Sequence, residues 1–243
     1  MTTGRWGAGR GWVGGVALLL AIGLFKPVAA IGGEPTEQIR GAIDRGLAIV
    51  KRADLQGDAK KAQRRGLLRK ELFPFFNFEE MSRRSLGVNW KNRTPQERQE
   101  FVNLFTDLLE NAYAGKIEGY KGEKIRFGKE TLDLPYAEVK TVIITPRGEE
   151  FSVNYRLLVD GNRWRVYDIV IEGVSLVNNY RSQFAGILQK SSFEEMTKQL
   201  KETVRKQSGA QGCRPTPLRG AGPPPATPPA ARRGGWHGCG PAA

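Results

Sequence analysis

The chain has 243 residues, with 38 Lys and Arg against 25 Asp and Glu, a formal charge of +13. That length suits one or two domains. The two cysteines, Cys213 and Cys239, and the lone His237 all lie near the C-terminus, so the rest of the chain holds no Ser-His-Asp or Cys-His system.

Residues 1–30 read as an export signal, not as fold. Arg5 and Arg10 form a basic start, Val13 to Phe25 is uncharged and apolar, and the small residues Val28 and Ala30 suit cleavage after Ala30. Spanning a bilayer takes about 20 apolar residues, more than this run offers. The arginines are not adjacent, which argues against a twin-arginine signal, and no Cys follows for lipid attachment. From 208 to 243 the composition turns to Gly, Pro, Ala and Arg. Such a segment buries too little apolar surface to offset its chain entropy and reads as a disordered tail. Its cysteines and histidine are too scattered for a metal site.

Residues 31–207 are left as one domain. Arg5, Arg10 and Lys26 fall in the leader, and Arg214, Arg219, Arg232 and Arg233 in the tail. The domain keeps 31 basic and 25 acidic residues, a charge of +6. A mildly basic surface favours anionic membranes or acidic protein patches. Export and the lack of a nucleic-acid motif argue against nucleic acid.

Thr36 to Arg52 has a helical stripe of Ile39, Ile43, Leu47 and Val50. Asp58 to Phe73 reads as a second helix, capped by Asp58 and stopped by Pro74. An aromatic segment follows, with a short helix over Asn77 to Leu86. Thr94-Pro95-Gln96-Glu97 is a capping box with proline at the first helical position. Phe101, Leu104, Phe105, Leu108, Ala112 and Tyr113 then share one helical face.

Beyond Gly122 the period changes to two. Lys124 to Phe127, Tyr136 to Thr145, Glu150 to Val159 and Arg163 to Ile171 read as four strands, with "TPRGEE" and "VDGNR" as hairpin turns. In the third strand Phe151, Val153, Tyr155 and Leu157 share a face. In the fourth, alternation puts Trp164, Val166, Asp168 and Val170 on one face, and Arg165, Tyr167, Ile169 and Ile171 on the other. Neither face is wholly polar, so both are expected to be partly covered. Two helices close the domain: one with the stripe Leu176, Val177, Tyr180, Phe184, Ile187 and Leu188, the next opened by a capping box at Ser192-Phe193-Glu194-Glu195. Helices, antiparallel meander, helices make an α+β domain: a curved sheet of about four strands packed with N-terminal and C-terminal helices.

Chemistry is hard to find in this inventory. There is no zinc spacing and no glycine-rich phosphate loop. Asp168 and Glu172, four apart along a strand, would stand roughly 13 Å from each other, too far to work as a carboxylate pair. They read as structural charges, Asp168 with Arg165 or Tyr167. No cofactor, no metal and no enzymatic activity are expected. An exported domain rich in large apolar side chains and poor in reactive groups reads as a binding module.

Two blocks carry a resemblance. "WRVYDIVIEGVSLVNNYRSQFAGIL" and "FNFEEMSRRSLGVNWKNRTPQERQEFVNLFTDLLENAYAGKIEGY" resemble the MlaC-type family of periplasmic phospholipid carriers, also described as toluene-tolerance auxiliary proteins. The likeness runs over nearly all of Thr36 to Val204; the Pro/Gly-rich tail departs from it. The resemblance implies a soluble periplasmic shuttle that carries phospholipid with its acyl chains in an apolar pocket. Its implied partners are an inner-membrane ABC transporter complex with an MCE-domain ring and an outer-membrane lipoprotein–porin complex. On that reading, alternation and periodicity put Val139, Ile143, Val153, Tyr155, Val166 and Val170 of the sheet opposite Phe101, Phe105, Leu108, Leu176, Val177, Tyr180 and Phe184 of the helices, as pocket walls. Val174, Leu176 and Val177 line the mouth, with Asn178, Asn179 and Arg181 at a wetter rim and Gly173 as a hinge. Two alternatives stay open: a carrier of hopanoids or other polycyclic lipids on the same fold, and an exported scaffold module without a ligand.

Overall fold

The computed structural model describes residues 35–209. The expected export signal and most of the expected tail lie outside the described residues. Helix α1 (Pro35–Val50) is followed by two short 3₁₀ turns and α2 (Lys61–Leu72). Asp58 opens the second 3₁₀ turn and makes no capping bond, because Gly57 with φ 83° precedes it and α2 starts three residues later. Helix α3 (Phe78–Leu86) is capped by the Asn77 side chain, which accepts the Glu80 N–H at 2.8 Å. Helix α4 (Pro95–Glu118) has the expected box: Thr94 Oγ1 accepts the Glu97 N–H at 3.2 Å, and the Glu97 carboxylate accepts the Thr94 N–H at 2.7 Å.

The sheet is an antiparallel meander in the order β1 (Lys124–Asp133), β2 (Tyr136–Ile144), β3 (Glu150–Asp160), β4 (Arg163–Ile171) and β5 (Val174–Ser175). Strand β1 runs six residues beyond its expected end at Phe127. The pairing shifts by one residue between Phe127 and Glu130, which hides the strand from an alternation count. Gly128 sits at that bulge, where a Cβ would come within 3.3 Å of the Lys140 carbonyl oxygen. The fifth strand, a two-residue edge that sequence periodicity does not reveal, precedes α5 (Leu176–Leu188). Helix α6 (Phe193–Gly209) follows and runs through Ser208, whose hydroxyl accepts from Asn111 Nδ2 at 3.1 Å.

Residues paired across antiparallel strands share a face. One face carries Ile125, Ile143 and Phe151 in its first row, Phe127, Thr141, Val153 and Ile171 in its second, then Val139, Tyr155 and Ile169, then Ala137, Leu157 and Val166. This face is apolar across four strands. The other carries Glu138, Arg156 and Asp168, joined by ion pairs of 3.4 and 3.3 Å.

The core falls into three clusters. Ile39 of α1 packs on Ala137, Val139, Leu157, Trp164 and Val166, covering one end of the apolar face. The Glu130 carboxylate anchors that helix by accepting the Thr36 N–H at 2.8 Å and its hydroxyl at 2.5 Å. Helices α3, α4, α5 and α6 make a second cluster among themselves. There Phe101 meets Phe184 edge to face at 5.3 Å, and Phe105 meets Tyr180 likewise at 5.2 Å. Ile49, Val50, Leu55 and Leu68 close the third, between α1 and α2.

Candidate functional site

The expected pocket residues divide between these layers. Phe101, Phe105, Leu108, Leu176, Val177, Tyr180 and Phe184 are all buried in the helical cluster and pack on one another. Val139 and Val166 are buried beneath α1, with Tyr155 at the margin of that cluster. Ile143 and Val153 stand further along the same face. Val170 does not join them. It pairs with Asn154, on the side that carries Arg156 and Asp168.

The reason is a one-residue shift in β4. Arg156 pairs with Asp168, but the next residue of β3, Leu157, pairs with Val166. Tyr167 is the extra residue, and a bulge of this kind reverses the alternation beyond it. Val166 and Trp164 therefore share the apolar face with Ile169 and Ile171, while Asp168 and Val170 point the other way. Strict alternation had put Val166 with Val170. Ile169 and Ile171, together with Ile125, Phe127 and Phe151 from neighbouring strands, share the apolar face and were not expected among the pocket walls.

The apolar face is unevenly covered. Under α1, Ala137, Val139, Leu157, Trp164 and Val166 are buried, and Phe127, Tyr155 and Ile169 pack partly exposed at the margin, with Arg40 of α1 over the Phe127 ring at 4.1 Å. Outside that cluster, Ile125, Ile143, Phe151 and Ile171 keep part of their surface exposed. A contiguous apolar surface of this kind on one side of a sheet marks a place where something else packs.

Two tyrosines lie partly exposed at the margins of these clusters. Tyr155 belongs to the sheet, and Tyr113 packs against the helical cluster. Burial pushes each phenol up to about 12, yet both side chains keep partial exposure. Tyr180 is raised as well, by desolvation first and by neighbouring Tyr113 second.

At the edge of the apolar face lies the β4–β5 turn. Glu172 and Gly173 have φ of 49° and 78°, the conformation that closes a two-residue hairpin. Ile171 pairs with Val174 across it. The Ser152 N–H donates to the Glu172 carboxylate, and the Glu172 N–H donates to the Ser152 carbonyl at 3.0 Å. Gly173 is thus the centre of a pinned turn, and not a free joint. Val174, 38% exposed, continues the apolar face outward from Ile171.

Asp168 is 3% exposed and fully engaged. It accepts from Ser175 Oγ at 2.6 Å, from the Val177 N–H at 3.0 Å and from Arg156 Nη1 at 3.3 Å. It ties the first turn of α5 to the sheet and leaves no free carboxylate oxygen for acid–base work. Its partners are Arg156 and the helix, while Arg165 pairs with Asp160 at 3.3 Å. Among the described residues no group of three or more His, Cys, Asp or Glu side chains could hold a metal ion. No helix among them is long and apolar enough to cross a membrane.

The family described as MlaC protein matches residues 40–202. The chain is 27% identical over 162 residues to the intermembrane phospholipid transport system binding protein MlaC of Haemophilus influenzae, covering 63% of this chain and 76% of that one. It is 22% identical over 176 residues to the toluene tolerance protein ttg2D of Pseudomonas putida, covering 72% and 82%. Among solved structures it resembles a phospholipid-binding protein of Ralstonia solanacearum in complex with a phospholipid. The TM-score is 0.65 at 25% identity, over 72% of this chain and 99% of that one.

Proposed function

This chain belongs to the MlaC family, and from that premise we propose that it carries phospholipid between membranes, without catalysis, in the periplasm. The relatives named for phospholipid transport and phospholipid binding support the ligand class. The observation that carries the reading is the uncovered end of the sheet's apolar face, where Ile125, Ile143, Phe151 and Ile171 lie beyond the reach of α1. The acyl chains pack there, against the sheet, and enter past Val174.

The magnitudes make such a wall necessary. Each exposed CH₂ costs about 0.8 kcal/mol in water, so a diacyl lipid with about 30 of them costs on the order of 24 kcal/mol to move unaided. A carrier needs apolar surface nearly as favourable as the bilayer and needs no reactive group. The solid helical cluster does not take lipid. It holds α3, α4, α5 and α6 together. Residues 1–30 direct export, and the lipid is exchanged with an inner-membrane MCE-domain ABC transporter complex and an outer-membrane lipoprotein–porin complex, as the family resemblance suggests.

The test is the lipid content of the protein purified from a periplasmic extract. Organic extraction and mass spectrometry should find glycerophospholipid, close to one molecule per chain. Protein that carries no lipid, or that carries a polycyclic lipid in its place, overturns the proposal.

A further inference from the structure

A concavity lies on the face of the sheet opposite the apolar one, a cleft of 490 Å³ between α3, α5 and the β3–β4 pair. Five cations line it, Arg83, Arg84, Lys91, Arg156 and Arg181, against one carboxylate, Asp168. Both oxygens of Asp168 already accept, from Ser175, Val177 and Arg156, so its single charge is shared with Arg156 and leaves the cleft strongly cationic. Glu80, just outside, holds Arg83 and Arg84 at 2.6 Å each. Arg181 and Lys91 have no carboxylate partner among the described residues.

The cleft is built for its guanidinium groups. Gly87 ends α3 with φ +59°, and a Cβ there would come within 3.0 Å of Arg181 Nε. A residue with a side chain would be strained in that conformation and would displace the arginine. Arg84 is fixed from two sides, by Glu80 and by the ring of Tyr167, 4.1 Å below its guanidinium. A half-buried arginine anchored this way offers its remaining N–H groups in a set direction, the geometry that matches phosphate.

We propose that this cleft binds a phosphate-bearing anion, with Arg181 and Lys91 as direct contacts and Arg84 and Arg156 behind them. The proposal does not rest on the reading of the apolar wall, which lies across the sheet. A phosphate monoester or diester has the right chemistry, whether free in solution or as the headgroup of a lipid still in a bilayer. Val88 stands 75% exposed on the cleft's rim, placed to touch a bilayer surface if the headgroup is the source.

The experiment uses the full chain, its Arg181→Glu and Lys91→Glu variants, and Arg205→Glu as a control with the same charge change on exposed α6. Circular dichroism confirms folding. Glycerol phosphate is titrated by calorimetry at low salt, and co-sedimentation is measured with phosphatidylcholine vesicles with and without phosphatidylglycerol. Each cleft variant should bind glycerol phosphate about tenfold more weakly, the scale of one charge-assisted hydrogen bond, while the control stays close to the parent. Parallel loss of phosphatidylglycerol-dependent sedimentation in the cleft variants assigns the site to lipid headgroups; sedimentation equal to the control's assigns it to free phosphate esters. Failure of the parent to bind either probe, or equal loss in the cleft variants and in Arg205→Glu, overturns the proposal.

Discussion

Val166 and Asp168 are two residues apart on β4, yet their side chains leave the sheet on opposite faces. Val166 pairs with Leu157 on the apolar side, and Asp168 pairs with Arg156 on the polar side. Tyr167, inserted between them, allows one strand to serve both surfaces. It completes the apolar wall with Val166, Ile169 and Ile171, and it hangs α5 from the other side through Asp168.

Asp168 is therefore expected to matter for stability and not for chemistry. Asp168→Ala leaves Arg156 with Glu138 alone and unties the first turn of α5. Arg156 is 37% exposed, so its ion pair adds little, and the loss comes mainly from the Ser175 and Val177 hydrogen bonds to a buried carboxylate, about 2 kcal/mol. Urea denaturation should show that loss with little change in slope. A variant as stable as the parent would mean that α5 is held by its apolar contacts alone.

Wall and core should respond in opposite ways. Ile143→Asp and Phe151→Asp change partly exposed side chains, so both proteins are expected to fold but to purify with several-fold less phospholipid, because a carboxylate must stay hydrated beside an acyl chain. Phe105→Ala removes a fully buried ring from the helical cluster and should cost about 3–5 kcal/mol. If Phe105→Ala stays as stable as the parent yet loses its lipid, the ligand sits in the helical layer instead.

Val174→Asp examines the entrance. The residue is exposed at the end of the apolar face, so the melting temperature should stay near the parent's. Uptake of phospholipid from donor vesicles should fall sharply. Full occupancy in a folded Val174→Asp protein would move the entrance elsewhere along the wall.

Tyr155 gives the fold an alkaline sensitivity. Its phenol is raised from 10 to about 12 by burial, so the folded protein holds this proton more tightly than the unfolded chain does. The associated stability is complete below pH 10 and is lost as pH rises through about 12, a change on the order of 2 kcal/mol. Unfolding midpoints measured between pH 9 and 12 should fall less steeply in Tyr155→Phe than in the parent. Identical slopes would show that this phenol meets water freely.

Deletion of residues 210–243 is expected to leave both the melting temperature and lipid content unchanged. The cut follows Ser208, whose bond to Asn111 helps to fasten α6. A large drop in either measurement would assign that segment a role which its Gly, Pro and Ala composition does not suggest.

The helices and strand starts were legible because they rest on local rules. Thr94, Pro95 and Glu97 cap α4 wherever that helix docks, and the stripe Phe101, Phe105, Leu108 makes a buried face at helical spacing. The end of β1 and the true face of β4 were not legible. Each depends on a bulge, near Gly128 and at Tyr167, and a bulge is set by pairing with another strand. Asp168 shows the same limit: its real partners are Arg156, Ser175 and a backbone N–H of α5, where sequence proximity suggested Arg165 or Tyr167.

The sequence by itself determined the α+β order, the helical core, the family resemblance and the absence of His and Cys from the domain, since each follows from composition, period or local capping. Only the tertiary structure decided which apolar residues are spent on packing and which stay partly exposed on the sheet. Phe105 and Ile143 are equally hydrophobic in sequence terms, but four helices close around one while α1 stops short of the other. That difference comes from how far each element reaches across the sheet, and reach is a property of the assembled layers.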